Sequence, residues 1–116
     1  MNRNFRLTQG TNFERVRRFG KSYAHPLVVL VVQPSAERQT RFGVVAGKSV
    51  GNAVQRNRAK RMLREALRTL IPIIKPGWNV ILISRTPILT AKFTEIQVSL
   101  RQLFFKADLL IDNNGN

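Results

Sequence analysis

The stretch RFGVVAGKSVGNAVQRNRAKRMLREALR, residues 41–68, changes character at its middle. The left half is apolar and β-branched, and it runs into G-K-S, the tail of a phosphate-cradling loop. Such a loop needs the pattern G-x-x-x-x-G-K-[ST], because successive backbone N–H groups must wrap the phosphate and loop length sets the wrap. Only three residues separate Gly43 from Gly47, so the loop is one residue short. The later hydrophobic strand WNVILIS has no aspartate at its end to hold magnesium. The stretch reads instead as a strand, its exit and the start of a helix. Ser49, Gly51 and Asn52 are the candidate caps, and Lys48 stands beside the positive end of the helix, available to a phosphate.

Residues 52–70 predict a helix of about five turns, stopped by Pro72 and Pro76. At about 100° per residue, Ala59, Met62, Leu63, Ala66, Leu67 and Leu70 share one arc, which should lie on a sheet. Asn57, Arg58, Lys60, Arg61, Arg64 and Arg68 gather on the opposite arc, while Arg56 falls near the edge of the apolar one, in the first turn. One acid, Glu65, interrupts six bases between residues 56 and 68, so intrahelical ion pairs cannot account for them. The arc reads as a phosphate-binding ridge. Its chemistry alone does not separate DNA from RNA, and neither a zinc finger nor a heptad seam accompanies it.

Working outward, TQGTNFERVRRFG (8–20) predicts a short helix that Thr11 or Asn12 caps and Gly20 ends. Phe13, Val16 and Phe19 recur three apart in it, with arginines between. PLVVLVVQP (26–34) predicts a strand, SAERQT a turn, and TRFGVVAGK (40–48) a second strand paired with the first as a hairpin. The near-continuous apolar run of GWNVILISR (77–85) predicts a central strand covered on both faces. Phe93, Ile96, Leu100, Leu103 and Phe104 mark a final helix within residues 92–110. Together these give an α+β fold: one two-layer domain over residues 1–116, a small, mostly antiparallel sheet packed with helices, and a short disordered tail near 112–116.

Composition narrows the function. The chain of 116 residues carries 20 Lys and Arg, mostly Arg, against six Asp and Glu, for a net charge of +14. That much self-repulsion points to a polyanionic partner, and guanidinium forks favour nucleic acid. There is no cysteine, so neither disulfides nor thiolate metal sites arise, which fits a cytoplasmic protein. The longest apolar run, LVVLVV at 27–32, is of strand length, and no membrane partner is expected. The Arg-rich, nearly acid-free beginning would also suit an organellar presequence. His25 is the single histidine, no carboxylate pair stands out, and no metal site is expected; the residues describe a binder with no catalytic groups of its own.

The block from Ala53 to Glu65, A-V-x-R-N-R-x-K-R-x-x-R-E, together with the preceding G-K-x-V-G-N element, resembles the protein subunit of bacterial ribonuclease P. LTQGTNFERVRRFGKS, TRFGVV and VILISR, ending at Arg85, resemble further parts of that family, so the likeness covers roughly residues 5–106. The resemblance implies the element order αβββαβα, with a left-handed βαβ crossover around the arginine-rich helix. It implies a ribonucleoprotein endonuclease, a hydrolase that removes the 5′ leader from precursor tRNA. In it the RNA subunit is catalytic and requires magnesium, and the partners are ribonuclease P RNA and precursor tRNA rather than DNA. Carried over, Lys48, Arg56, Asn57, Arg58, Lys60, Arg61, Arg64 and Arg68 are expected at the RNA subunit. Phe13, Arg17, Val29, Val31 and Arg41 are expected at the single-stranded leader. Three positions depart from the family pattern: Arg17 and Val31 stand where aromatics are common, and Ser49 where a second lysine is frequent. Arg17 would stack or pair with phosphate in place of a ring. The alternative from a different class is a structural RNA binder such as a ribosomal protein, which has no need of a second, single-strand groove.

Overall fold

The computed structural model describes residues 11–111, with side chains from residue 13 onward. The expected tail at 112–116 and the side chains of the two cap candidates Thr11 and Asn12 lie outside the described residues. The elements are α1 (Thr11–Phe19), β1 (Lys21–Ala24), β2 (Val28–Pro34), β3 (Arg41–Ala46), α2 (Ala53–Arg68), β4 (Trp78–Ser84) and α3 (Phe93–Lys106). Short 3-10 turns follow β3, α2 and β4. The order αβββαβα is the one the resemblance implied.

The four strands form one mixed sheet in the order β1-β2-β4-β3. β1 and β2 are antiparallel, as are β2 and β4, while β3 and β4 are parallel. The expected β2–β3 hairpin is therefore not formed, because β4 inserts between the two strands. The reason lies in β4 itself. Ile81 faces one side and Val80 and Leu82 the other, all fully buried, so the strand needs neighbours on both edges and cover on both faces. The loop between β2 and β3 has only to span two strand spacings, about 10 Å, which six residues do easily. It is tied across the start of β4 by Ser35 N donating to Gly77 O (2.8 Å) and by Thr40. The Thr40 hydroxyl donates to Lys75 O (2.9 Å) and accepts from Trp78 N (3.2 Å).

The larger core joins one sheet face to α2 and α3. Leu30 and Val32 of β2, Phe42 of β3 and Leu82 of β4 meet Leu63 and Leu67 of α2 and Ile96, Leu100 and Phe104 of α3. The expected apolar arc of α2 is the buried one, with Met62 half-buried at its edge. Phe93 is the exception among the α3 residues and is exposed. On the other face a smaller core, Phe13, Val16, Val31 and Ile81, holds α1 as a half-layer. Gly20 ends α1, but through space rather than dihedral angle: a Cβ there would stand 2.5 Å from Val16 O and 2.8 Å from a methyl of Val31. Among the described residues, no helix is long and apolar enough to cross a membrane.

The start of α2 is a capping box. The Asn52 side chain accepts from Gln55 N, and the Gln55 side chain accepts from Asn52 N, both at 2.9 Å. Gly51 precedes it at φ 144°, and a Cβ there would run into the Gln55 side chain that closes the box. Gly47, by contrast, is extended at φ −80° and faces open space. Its glycine character serves neither a turn nor a close contact within the chain. Asn52→Ala should therefore lower the unfolding free energy by about 1 kcal/mol. Gly47→Ala should leave it within about 0.5 kcal/mol. Urea denaturation of the two variants checks both.

Candidate nucleic-acid interface

Burial of Ala59, Leu63, Ala66 and Leu67 against the sheet fixes the rotation of α2. That rotation sends Asn57, Arg58, Arg61 and Arg68 to solvent and leaves Arg56, Lys60 and Arg64 half-buried along the flanks. Arg68 is paired with Glu65 at 2.6 Å, and Arg64 has a partner of its own. Arg56, Arg58, Lys60 and Arg61 have no ion pair among the described residues. These charges do not serve the helix. Its first turn holds no acid, so Arg56 there opposes the positive end of the helix dipole, and Arg56 with Lys60 and Arg58 with Arg61 set like charges four and three residues apart. They cost stability where they are, which an external polyanion would offset. Lys48 is exposed in the 3-10 turn Lys48–Val50, immediately before α2, so it extends the ridge.

A second region lies on the opposite sheet face, around α1. Strand register puts three rows of side chains across it. The middle row, Val31, Ile81 and Gly43, is buried, with Phe13 and Val16 of α1 in the same small core. Phe13 is 8% exposed and Val31 3%, so of the expected leader contacts these two are core residues that offer at most an edge. Arg17 is exposed on α1. The second row, Val29, Ile83 and Val45, is half-buried and gives this face its accessible apolar surface. The third row is polar: Gln33, Asn79 and Arg41, with Arg41 paired to Glu37 at 2.9 Å.

The two regions meet at one end of the sheet. There the β1–β2 turn, the 3-10 turn after β3 and the segment after β4 surround an open cavity of about 730 Å³. His25, Ser49, Ile83 and Arg85 line it. Thr86 Oγ1 donates to Ser49 O (3.0 Å) and Arg85 Nη1 to His25 O (3.4 Å), stitching the three segments together. His25 Nδ1 accepts from Leu27 N (3.1 Å), so the single histidine holds a turn. Among the described residues no three His, Asp or Glu side chains gather where they could hold a metal ion. The sequence pointed to Arg41 but not to Ile83, Val45, Arg85 or the other two members of the polar row, Gln33 and Asn79, as surface features. The alternation along β4 carried the signal, but only the strand register reveals which residues it aligns with.

Comparison with known proteins shows the family and agrees with the fold. The family model described as Ribonuclease P matches residues 1–108. The ribonuclease P protein component of Herpetosiphon aurantiacus is 44% identical over 112 residues, covering 97% of this chain and 91% of that protein. That of Chloroflexus aurantiacus is 40% identical over 111 residues, covering 95% and 82%. The structure of the Staphylococcus aureus RNase P protein superposes with a TM-score of 0.81 at 28% identity, over 91% of this chain and 97% of that one. The RNase P protein from Thermotoga maritima superposes with a TM-score of 0.77 at 25% identity, over 87% and 96%. With a family model spanning nearly the whole chain and relatives matched over most of their length, the chain belongs to the ribonuclease P protein family.

Proposed function

We propose that this chain is the RNA-binding, non-catalytic subunit of a cytoplasmic ribonuclease P, which removes the 5′ leader from precursor tRNA. The ridge of α2, with Lys48, Arg56, Asn57, Arg58, Lys60, Arg61, Arg64 and Arg68, binds the RNA subunit. That RNA performs the hydrolysis with its own magnesium ions. The α1 face receives the single-stranded leader: the Val29 row offers apolar contact, Arg17 a guanidinium, and Phe13 and Val31 the packing beneath. Arg41 stands at the far end of the same face. The observation that carries this reading is that Arg58 and Arg61 on the solvent side of α2, and Arg56 and Lys60 on its flanks, have no ion pair among the described residues and repel one another along the helix. The protein's contribution is electrostatic and positional: it screens repulsion between two RNA phosphate backbones and holds one end of the substrate.

Reconstitution with the ribonuclease P RNA of the same organism tests the reading. Precursor-tRNA cleavage at low magnesium should rise at least tenfold when the protein is added; no stimulation would sink it. Arg58→Ala and Arg61→Ala should each weaken RNA-subunit binding and flatten its logarithmic salt dependence by roughly one phosphate contact. Unchanged slopes measured between low and moderate salt would show these side chains to be merely solvated.

A further inference from the structure

The polar row at the far end of the α1 face is part of a pocket. Strand register sets Asn79 of β4 directly beside Gln33 of β2 on one side and Arg41 of β3 on the other. Neighbouring strands lie about 4.8 Å apart, so the three side chains rise next to one another from one surface. The loop residues Ser35 and Glu37 wall the pocket, and Arg15 reaches it from α1. Its volume is about 380 Å³, at the small end of the range of about 300–1,000 Å³ for pockets that take a small organic group.

What the wall offers identifies the ligand. The amides of Gln33 and Asn79 are half-buried yet have no hydrogen-bond partner among the described residues. Arg41 is spoken for: its Nε donates to Glu37 Oε2 (3.0 Å), and its Nη2 stands 2.9 Å from the same oxygen in an ion pair. That pair leaves Arg15 as the one pocket cation without an ion pair among the described residues. A phosphate would use Arg15 and could accept from the amide N–H groups, but it has no donor for the two amide carbonyl oxygens and is repelled by the Glu37 carboxylate. A nucleobase edge sets N–H donors beside acceptors and uses both halves of each amide. The pocket lies on the same face as Val29 and Ile83, four residues, or about 13 Å, further along the strands.

We propose that this pocket, built by Gln33, Asn79 and Arg15, binds one nucleobase of the precursor-tRNA leader edge-on, with Arg15 holding the adjoining phosphate. The proposal rests on the reading of the α1 face as the leader surface and adds to it a subsite with its own residues. Glu37 fixes Arg41 as a wall of the pocket, and the two amides supply the pairing.

Abasic scanning tests this in the holoenzyme assembled with the organism's ribonuclease P RNA. Precursor tRNAs carry a single abasic nucleotide at successive leader positions, and their affinities are compared for wild type, Gln33→Ala and Asn79→Ala. At one leader position the abasic substrate should bind wild type roughly fivefold or more weaker, and that penalty should vanish in both variants. Thermal melting of the variants serves as the folding control, and both should melt with wild type because neither amide has a partner to lose. Two outcomes overturn the proposal, and they are distinct. Abasic penalties of equal size in wild type and variants mean that the leader is bound but not here. Affinity that does not change when the leader is shortened to nothing means that the protein does not hold the leader, and removes the wider reading as well.

Discussion

The need of β4 for cover on both faces and both edges shapes the rest of the molecule. A strand with Ile81 on one side and Val80 and Leu82 on the other cannot sit at an edge or leave a face wet. Its insertion between β2 and β3 opens their hairpin and makes β3 parallel to β4, which requires a crossover. The crossover is α2. The strand that most needs burial thus sets the position of the helix that carries the charge. The same insertion aligns Gln33, Asn79 and Arg41, residues far apart in sequence, into a single row.

The two faces of the sheet then take different duties. The α2 and α3 side is a large apolar core with no functional surface of its own; its role is to fix the rotation of α2 so that the cations point outward. The α1 side is a thin layer of four buried side chains flanked by accessible rows, one apolar and one polar. Around the 730 Å³ cavity the two meet, so an RNA held on α2 and a strand laid along α1 would approach one another at Ser49 and Arg85.

Much of this was legible in the sequence, because it is local. The 3.6-residue period separated Leu63 and Leu67 from Arg58 and Arg61 correctly, and of the three cap candidates Ser49, Gly51 and Asn52 it is Asn52 that caps the helix. The missing residue between Gly43 and Gly47 told against a nucleotide loop, and Gly43 lies within strand β3 rather than in a loop. What sequence could not give is non-local. The six-residue loop after Pro34 suits a hairpin as well as a jump over one strand, and only β4's demand for neighbours decides between them. The recurrence of Phe13, Val16 and Phe19 did not say which ring is buried: Phe13 is, while Phe19 is 70% exposed. β1 is four residues long and mostly exposed, with no periodic signal to read. The pocket at Asn79 depends on register, which no single strand encodes.

The central claim is that α2, rather than the outer face of α3, meets the RNA subunit. Because the chain has no cysteine, a single one can be introduced and labelled with a tethered iron chelate that cleaves nearby RNA backbone. Val54, 77% exposed at the start of α2, and Val98, 54% exposed on α3, are suitable positions. The account predicts discrete cuts in the ribonuclease P RNA from the Val54→Cys conjugate and background cleavage from Val98→Cys. Discrete cuts from Val98→Cys with none from Val54→Cys would contradict it.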